Sequence, residues 1–184
     1  MNKMIDSRVR VFKIEGRARS AEYVRTVVEC YREAVESYID GTFSEEKISE
    51  WDEKLKTVFN RGFWFGYYLG QRLGEWSSTY GSEATKRKVY VGKSLKYFSK
   101  IGVGEFLVET KYGINVGDEL LITGPTTGVI EVKVESPSSI AWTFKDKEYL
   151  INKNINPAIG NVKNDFTVWG TKEGVAGELP IHMR

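Results

Sequence analysis

Hydrophobic positions fall into two regimes along this chain. As far as Gly62 they recur mainly at three and four residues, and from Lys86 they alternate. The opening run Val9, Val11, Phe12 and Ile14 is β-branched and short, which predicts a strand over Val9–Ile14. Glu15-Gly16-Arg17 then forms a charged turn, its glycine free to take backbone angles other residues avoid. Ser20 stands where a helix N-cap is wanted. Val24, Val27, Val28, Tyr31, Val35 and Tyr38 line one face of a long helix that stops at Gly41, a left-handed cap. Ser44 caps a second helix, with Glu45 and Glu46 in the first turn, where the helix dipole favours anions. Ile48, Trp51, Leu55, Val58 and Phe59 form its stripe, and Asn60-Arg61-Gly62 ends it. The pattern predicts one βα unit and an αα-hairpin, preceded by a fraying Met1–Ser7.

Phe63–Trp76 (FWFGYYLGQRLGEW) mixes aromatics with Gly66, Gly70 and Gly74 and reads as an aromatic plug. Ser77–Thr85 is a polar linker. Beyond it Val89/Val91, Phe106/Val108, Leu120/Ile122 and Val129–Val134 are short strands punctuated by glycine and Gly124-Pro125. Strands at such intervals with no helix between them predict a small antiparallel β-barrel. Ile140–Phe144 and Glu148–Ile151 are the runs available to close it. The fold class expected is therefore α+β: a partial βα unit and helical hairpin over 1–76, a barrel over 77–151, and an irregular extension over 152–184. In that extension Phe166, Val168 and Trp169 need cover from the helices or from a partner chain.

Composition adds little to this and removes several function classes. The chain has 184 residues, 41% apolar and 28% charged, with a formal net charge of +2. No apolar run approaches the roughly 20 residues of a membrane span, and the N-terminal residues lack a signal-peptide core. Cytoplasm is the expected location. The single cysteine, Cys30, rules out an internal disulfide framework and reads as packing on its helix. His182, the single histidine, has no partner ligand near it in sequence, so no metal and no cofactor are expected. No Walker loop, dinucleotide fingerprint or Ser-His-Asp arrangement is present. One stretch does carry charge chemistry. In KRKVYVGKSLKYFSK, the cations Lys86, Arg87, Lys88, Lys93, Lys96 and Lys100 are interleaved with Tyr90, Tyr97 and Phe98, and no acid interrupts them. On a strand that composition suits RNA, with phosphates meeting cations and bases stacking on rings. It suits equally a solvated exterior whose aromatics turn inward.

The runs FKIEGRARSAEYVRTVVECYREAV, FNRGFWFGYYLG and YVGKSLKYFSKIGVGEFLVE…VGDELLITGPTTGVIE, in that order, resemble the C-terminal part of the peptidase family U32 proteins. These are collagenase-like proteases, some of whose members act in hydroxylation of transfer or ribosomal RNA. The resemblance covers about residues 7–136. It implies that a TIM-barrel-like domain precedes this region, with KIEGR near its end; such a barrel takes about 250 residues. At that rim Glu15 would position or deprotonate a substrate and Arg17 clamp an anion, or the two would merely tidy the turn. Asn60 and Arg61 match the family's Asn-Arg-Gly turn, where helix termination explains them as well as substrate binding does. Phe65 stands where the family usually has an acid. The cysteines that hold an iron–sulfur cluster in some members have no counterpart here. The resemblance implies a substrate-recognition or scaffolding region for a protease or an RNA-hydroxylating protein, inactive alone. Its partners would be a catalytic barrel on an upstream segment or another chain, and peptide or RNA. After about residue 137 the pattern departs. There NDFTVWG…PIHMR resembles a stretch of phage tail and baseplate proteins, which implies instead a structural or interaction protein, with oligomers possible.

Overall fold

The computed structural model describes residues 1–67, 70, 81–98, 103–109, 114–125, 127–134, 140–144, 147–152 and 167–173. The chain divides into two compact units, Met1–Lys86 with Glu173–Arg184, and Arg87–Lys172. Helices occupy the first and strands the second, so the α+β class expected of the chain is the one it has.

The helical unit contains α1 (Asn2–Asp6), α2 (Ala21–Ile39) and α3 (Glu45–Lys56). Met1–Ser7 does not fray: the Tyr38 hydroxyl donates to the Asp6 carboxylate and fastens α1 to α2. Val9–Ile14 is not a strand. A strand needs a ladder partner for its amides and carbonyls, and no described segment pairs with this one; Val11 is 84% exposed. Ser20 has the extended backbone of an N-cap, but its side chain accepts no cap bond. At the other end Thr42 N–H donates to Ser37 O and Gly41 N–H to Tyr38 O, with Gly41 at φ +69°. Those two bonds are a Schellman motif, and they satisfy carbonyls the helix leaves open. Ser44 caps α3 through Lys47 N–H, at 3.4 Å.

The hairpin core is Cys30, Ala34 and Trp51, with Met1, Phe43, Ile48 and Leu55 packed around it. On α2 the buried stripe is Val27, Cys30, Ala34 and Ser37. The face expected from hydrophobicity alone is rotated from this one, and Val28 and Tyr31 lie exposed. Trp51 sits edge-tilted on Phe43 at 5.5 Å and donates its indole N–H to Glu33, which also meets Lys54 at 3.1 Å. Of the aromatic plug expected over Phe63–Trp76, the described residues do not form a core. Phe63, Phe65 and Tyr67 are exposed, and Trp64 meets Tyr67 edge-on at 5.1 Å.

The second unit is built on a seven-stranded sheet in the order β4-β3-β7-β1-β2-β6-β5. The strands are β1 (Lys86–Phe98), β2 (Val103–Val108), β3 (Glu119–Gly124), β4 (Gly128–Lys133), β5 (Ile140–Phe144), β6 (Lys147–Asn152) and β7 (Thr167–Glu173). The pairs β1–β2, β2–β6, β3–β4, β3–β7 and β5–β6 are antiparallel. The barrel expected from the strand spacing is not formed: β4 and β5 are the two edges of an open sheet. Ile140–Phe144 and Lys147–Asn152 are strands as expected, but they extend the sheet beyond β2 rather than close it. The span 152–184, expected from its turn-rich sequence to be an irregular extension, contains a strand. Within it Thr167–Glu173 is β7, between β3 and β1, and Val168 is fully buried. Its core neighbours are Val91, Leu120 and Ile122. Gly92 lets β1 approach β2 closely, since a Cβ there would lie 1.7 Å from the Leu107 carbonyl oxygen. Ile181–Arg184, Phe166 and most of Phe63–Trp76 beyond Tyr67 lie outside the described residues. No described helix is long and apolar enough to cross a membrane.

Candidate functional site

Glu15 and Arg17 occupy a turn that closes on itself. Glu15 Oε1 accepts from the Arg17 backbone N–H at 3.1 Å, and Arg19 N–H donates to Gly16 O at 3.0 Å. Gly16 does not use a left-handed conformation. Its need is room: a Cβ there would sit 2.8 Å from Val24 Cγ2 on α2. Both charged side chains are exposed, and Glu15 is engaged by backbone rather than by the Arg17 guanidinium. Asn60 is likewise spent locally. Its amide donates to Lys56 O and Val58 O, and its Oδ1 accepts from Gly62 N–H at 3.2 Å. That is the helix-ending role, with Gly62 at φ +86° completing the turn.

Arg61 is placed differently. Its guanidinium lies 6.0 Å from the Phe59 ring centroid, and the Arg19 guanidinium lies 3.9 Å over the same ring and 5.9 Å from Tyr23. Among the described residues neither guanidinium is paired with a carboxylate. Both line an open cavity of about 510 Å³ on the helical unit, together with Tyr31, Phe63, Trp64 and Asp52. The sequence pattern alone does not single out Arg19. The signal available was the Arg17-Ala18-Arg19 spacing, which sends the second arginine past the turn to the start of α2.

The basic strand is split by its own geometry. Side chains alternate across a sheet. Val91 is in the core, and Tyr90, on the other face, meets the Trp169 ring edge-on at 5.6 Å. Lys88 follows Tyr90: its Nζ lies 4.9 Å over Trp169, whose indole N–H donates to Thr123 Oγ1. Lys86 shares that face by alternation, while Arg87 and Lys93 fall on the opposite one. A register shift between Ser94 and Lys96 then resets the alternation. Lys88, Lys93 and Lys96 are exposed, and Lys86 and Arg87 partly so. Tyr97 pairs through its backbone with Gly104. Tyr90 is not turned inward; its hydroxyl donates to Glu109, and that bond holds the phenol above its ordinary pKa. Lys100 and His182 lie outside the described residues.

Cys30 packs as expected. Burial pushes its thiol pKa up, which outweighs the lowering effect of Lys54, so the thiolate that chemistry needs is disfavoured. Among the described residues no three His, Cys, Asp or Glu side chains gather closely enough to hold a metal.

The model of peptidase family U32 matches residues 1–78. A protein named collagenase from Porphyromonas gingivalis (strain ATCC BAA-308 / W83) is 65% identical over 135 residues, which are 73% of this chain and 32% of that protein. An uncharacterized protease of Methanocaldococcus jannaschii is 34% identical over 128 residues, 68% of this chain and 31% of that protein. The tRNA hydroxylation protein P1 of Bacillus subtilis (strain 168) is 30% identical over 124 residues, 67% of this chain and 29% of that protein. The chain thus spans about a third of the length of these relatives. No solved structure matches.

Proposed function

We propose that this chain, which belongs to peptidase family U32, is the substrate-recognition and scaffolding region of a larger protein, inactive alone, and that RNA is the substrate it engages. The observation that carries the reading is the Lys88–Trp169–Tyr90 cluster, a cation against one ring and a second ring edge-on to it, on the non-core face of the sheet. Aromatic rings beside cations hold unpaired bases and their phosphates whatever the sequence. Lys86, on the same face of the same strand by alternation, supplies a further phosphate contact. A relative named for tRNA hydroxylation supports this choice of substrate. The catalytic barrel comes from an upstream segment or another chain. A second reading, a protein substrate, is favoured by the 65% identity to a relative named collagenase.

Filter binding of transfer RNA and of gelatin across a salt series separates the two. RNA affinity should fall with salt, and replacing Lys86 and Lys88 together by Ala should reduce the slope of log K against log salt by about 1.4 for two single-strand contacts. Tyr90→Leu should weaken RNA binding at every salt concentration. Gelatin binding with no RNA binding, or a slope the double variant leaves unchanged, would reject RNA in favour of the protein substrate.

A further inference from the structure

The cavity on the helical unit has a chemistry the recognition surface on the sheet does not share. Its guanidiniums are fixed by a ring rather than by carboxylates. Arg19 lies 3.9 Å over Phe59 and Arg61 lies 6.0 Å from the same centroid, so the two cations stand within about 10 Å of each other. A guanidinium held beside a ring rather than by a carboxylate keeps N–H donors for an oxyanion. The two guanidiniums line one cavity and repel one another, and an anion that meets both relieves that repulsion. A carboxylate is satisfied by one guanidinium fork, whereas a phosphate has oxygens for two. The remaining wall supplies flat surface: Tyr31 is 41% exposed and Trp64 39%. The volume, about 510 Å³, falls within the range of about 300–1,000 Å³ usual for small-ligand sites. Asp52 also lines the cavity, so the wall carries two cations against one carboxylate and favours a single anionic group joined to a neutral body.

We infer that this cavity is a nucleotide site, holding the phosphate of one RNA nucleotide between Arg19 and Arg61 with its base against an exposed ring of the wall. The inference rests on the RNA reading above for the source of the nucleotide, but not for the chemistry of the cavity. Asn60 and Gly62 then act as positioning residues, since their turn sets where Arg61 begins.

Calorimetric titration of the whole chain with adenosine 5′-monophosphate tests it, alongside adenosine, inorganic phosphate and N-acetylphenylalanine. The nucleotide should bind more tightly than adenosine or phosphate alone. Arg19→Ala and Arg61→Ala should each weaken it at least about tenfold, as loss of a charged hydrogen-bond partner does. Arg19→Lys, which keeps the charge and the fold, should restore part of the loss, and the Lys86/Lys88 double variant should change nothing. The inference is overturned if the nucleotide does not bind, if the arginine variants bind it as well as the parent does, or if N-acetylphenylalanine binds as tightly. RNA binding that depends on Lys86 and Lys88 yet is not accompanied by nucleotide binding would sink the cavity site and leave the recognition reading standing. Arginine-dependent nucleotide binding without RNA binding would do the reverse.

Discussion

The helical unit and the sheet unit are held together by contacts of different range, and they present their cations differently. In the helical unit the decisive contacts are local or nearly so. The Schellman motif spans Ser37 to Thr42, and Trp51 reaches back across one turn to Glu33. In the sheet the decisive contact joins Ile122 to Val168, and a central strand arrives from far down the chain. The arginines of the helical unit are clamped to one aromatic ring beside a cavity, whereas the lysines of β1 are distributed over both faces of a sheet. A concave pair of guanidiniums selects the shape of a ligand. A strand of lysines attracts negative charge with little regard for shape. The comparison teaches that a count of basic residues, which is higher in β1, does not by itself find where cations converge.

If the units differ in this way, damage to one should leave the other protected. The largest effect is expected from Trp51→Ala. Trp51 is 7% exposed, and removing it from the hairpin core should cost about 3–5 kcal/mol, a cavity penalty included. It also strips Glu33 of the indole donor. Amide hydrogen exchange read by mass spectrometry should show α2 and α3 losing protection while β3 and β7 keep theirs. Equal loss in the sheet would mean that the units unfold as one and that the contrast drawn between them is empty.

A smaller and opposite lesion is Gly92→Ala. The added Cβ meets a backbone oxygen, not a flexible side chain, so β1 and β2 must separate locally. Overpacking of this kind costs roughly 1–3 kcal/mol. Exchange should rise in β1 and β2 with the hairpin unaffected. A variant as stable as the parent would show that the two strands do not approach so closely at that residue.

The same difference of range explains what could be read in the residues beforehand. Gly41 and Ser44 cap their helices because a cap is decided within five residues, and Cys30 packs because a small thiol on a helix face usually does. Ser20 shows the limit of that reasoning, since the right residue with the right backbone forms no side-chain cap bond. Val9–Ile14 has strand chemistry and no strand, because pairing is a property of two segments and one segment's pattern cannot supply it. β7 was missed for the converse reason. Its pattern around Val168 and Trp169 is too short to declare a strand alone, and its two neighbours, β3 and β1, fix it. Arg61 was legible as a cation at a turn, but its convergence with Arg19 on Phe59 depends on the fold of the hairpin.

The smallest expected effect concerns acid, and it sharpens the comparison because it should touch one unit alone. Glu33 is held below the usual carboxylate range, first by the Trp51 indole N–H and then by Lys54, both of which favour its ionised form. A carboxylate whose pKa is lowered on folding adds stability above its unfolded pKa of about 4.3 and loses it as pH falls through the lower folded value. Lys54, raised by the same bond, loses its share only as pH rises past the ordinary lysine range, so it is silent in acid. The Glu33 and Lys54 side chains are 48% and 52% exposed, and solvent screening keeps the contribution to about 0.2–1 kcal/mol. Between pH 6 and pH 3 the hairpin should therefore weaken slightly more in the parent than in Glu33→Gln, whose amide does not titrate. Hydrogen exchange of α2 and α3 across that range is the measurement. If the two proteins lose protection in parallel as pH falls, the Glu33 bonds to Trp51 and Lys54 contribute nothing to holding the helices together.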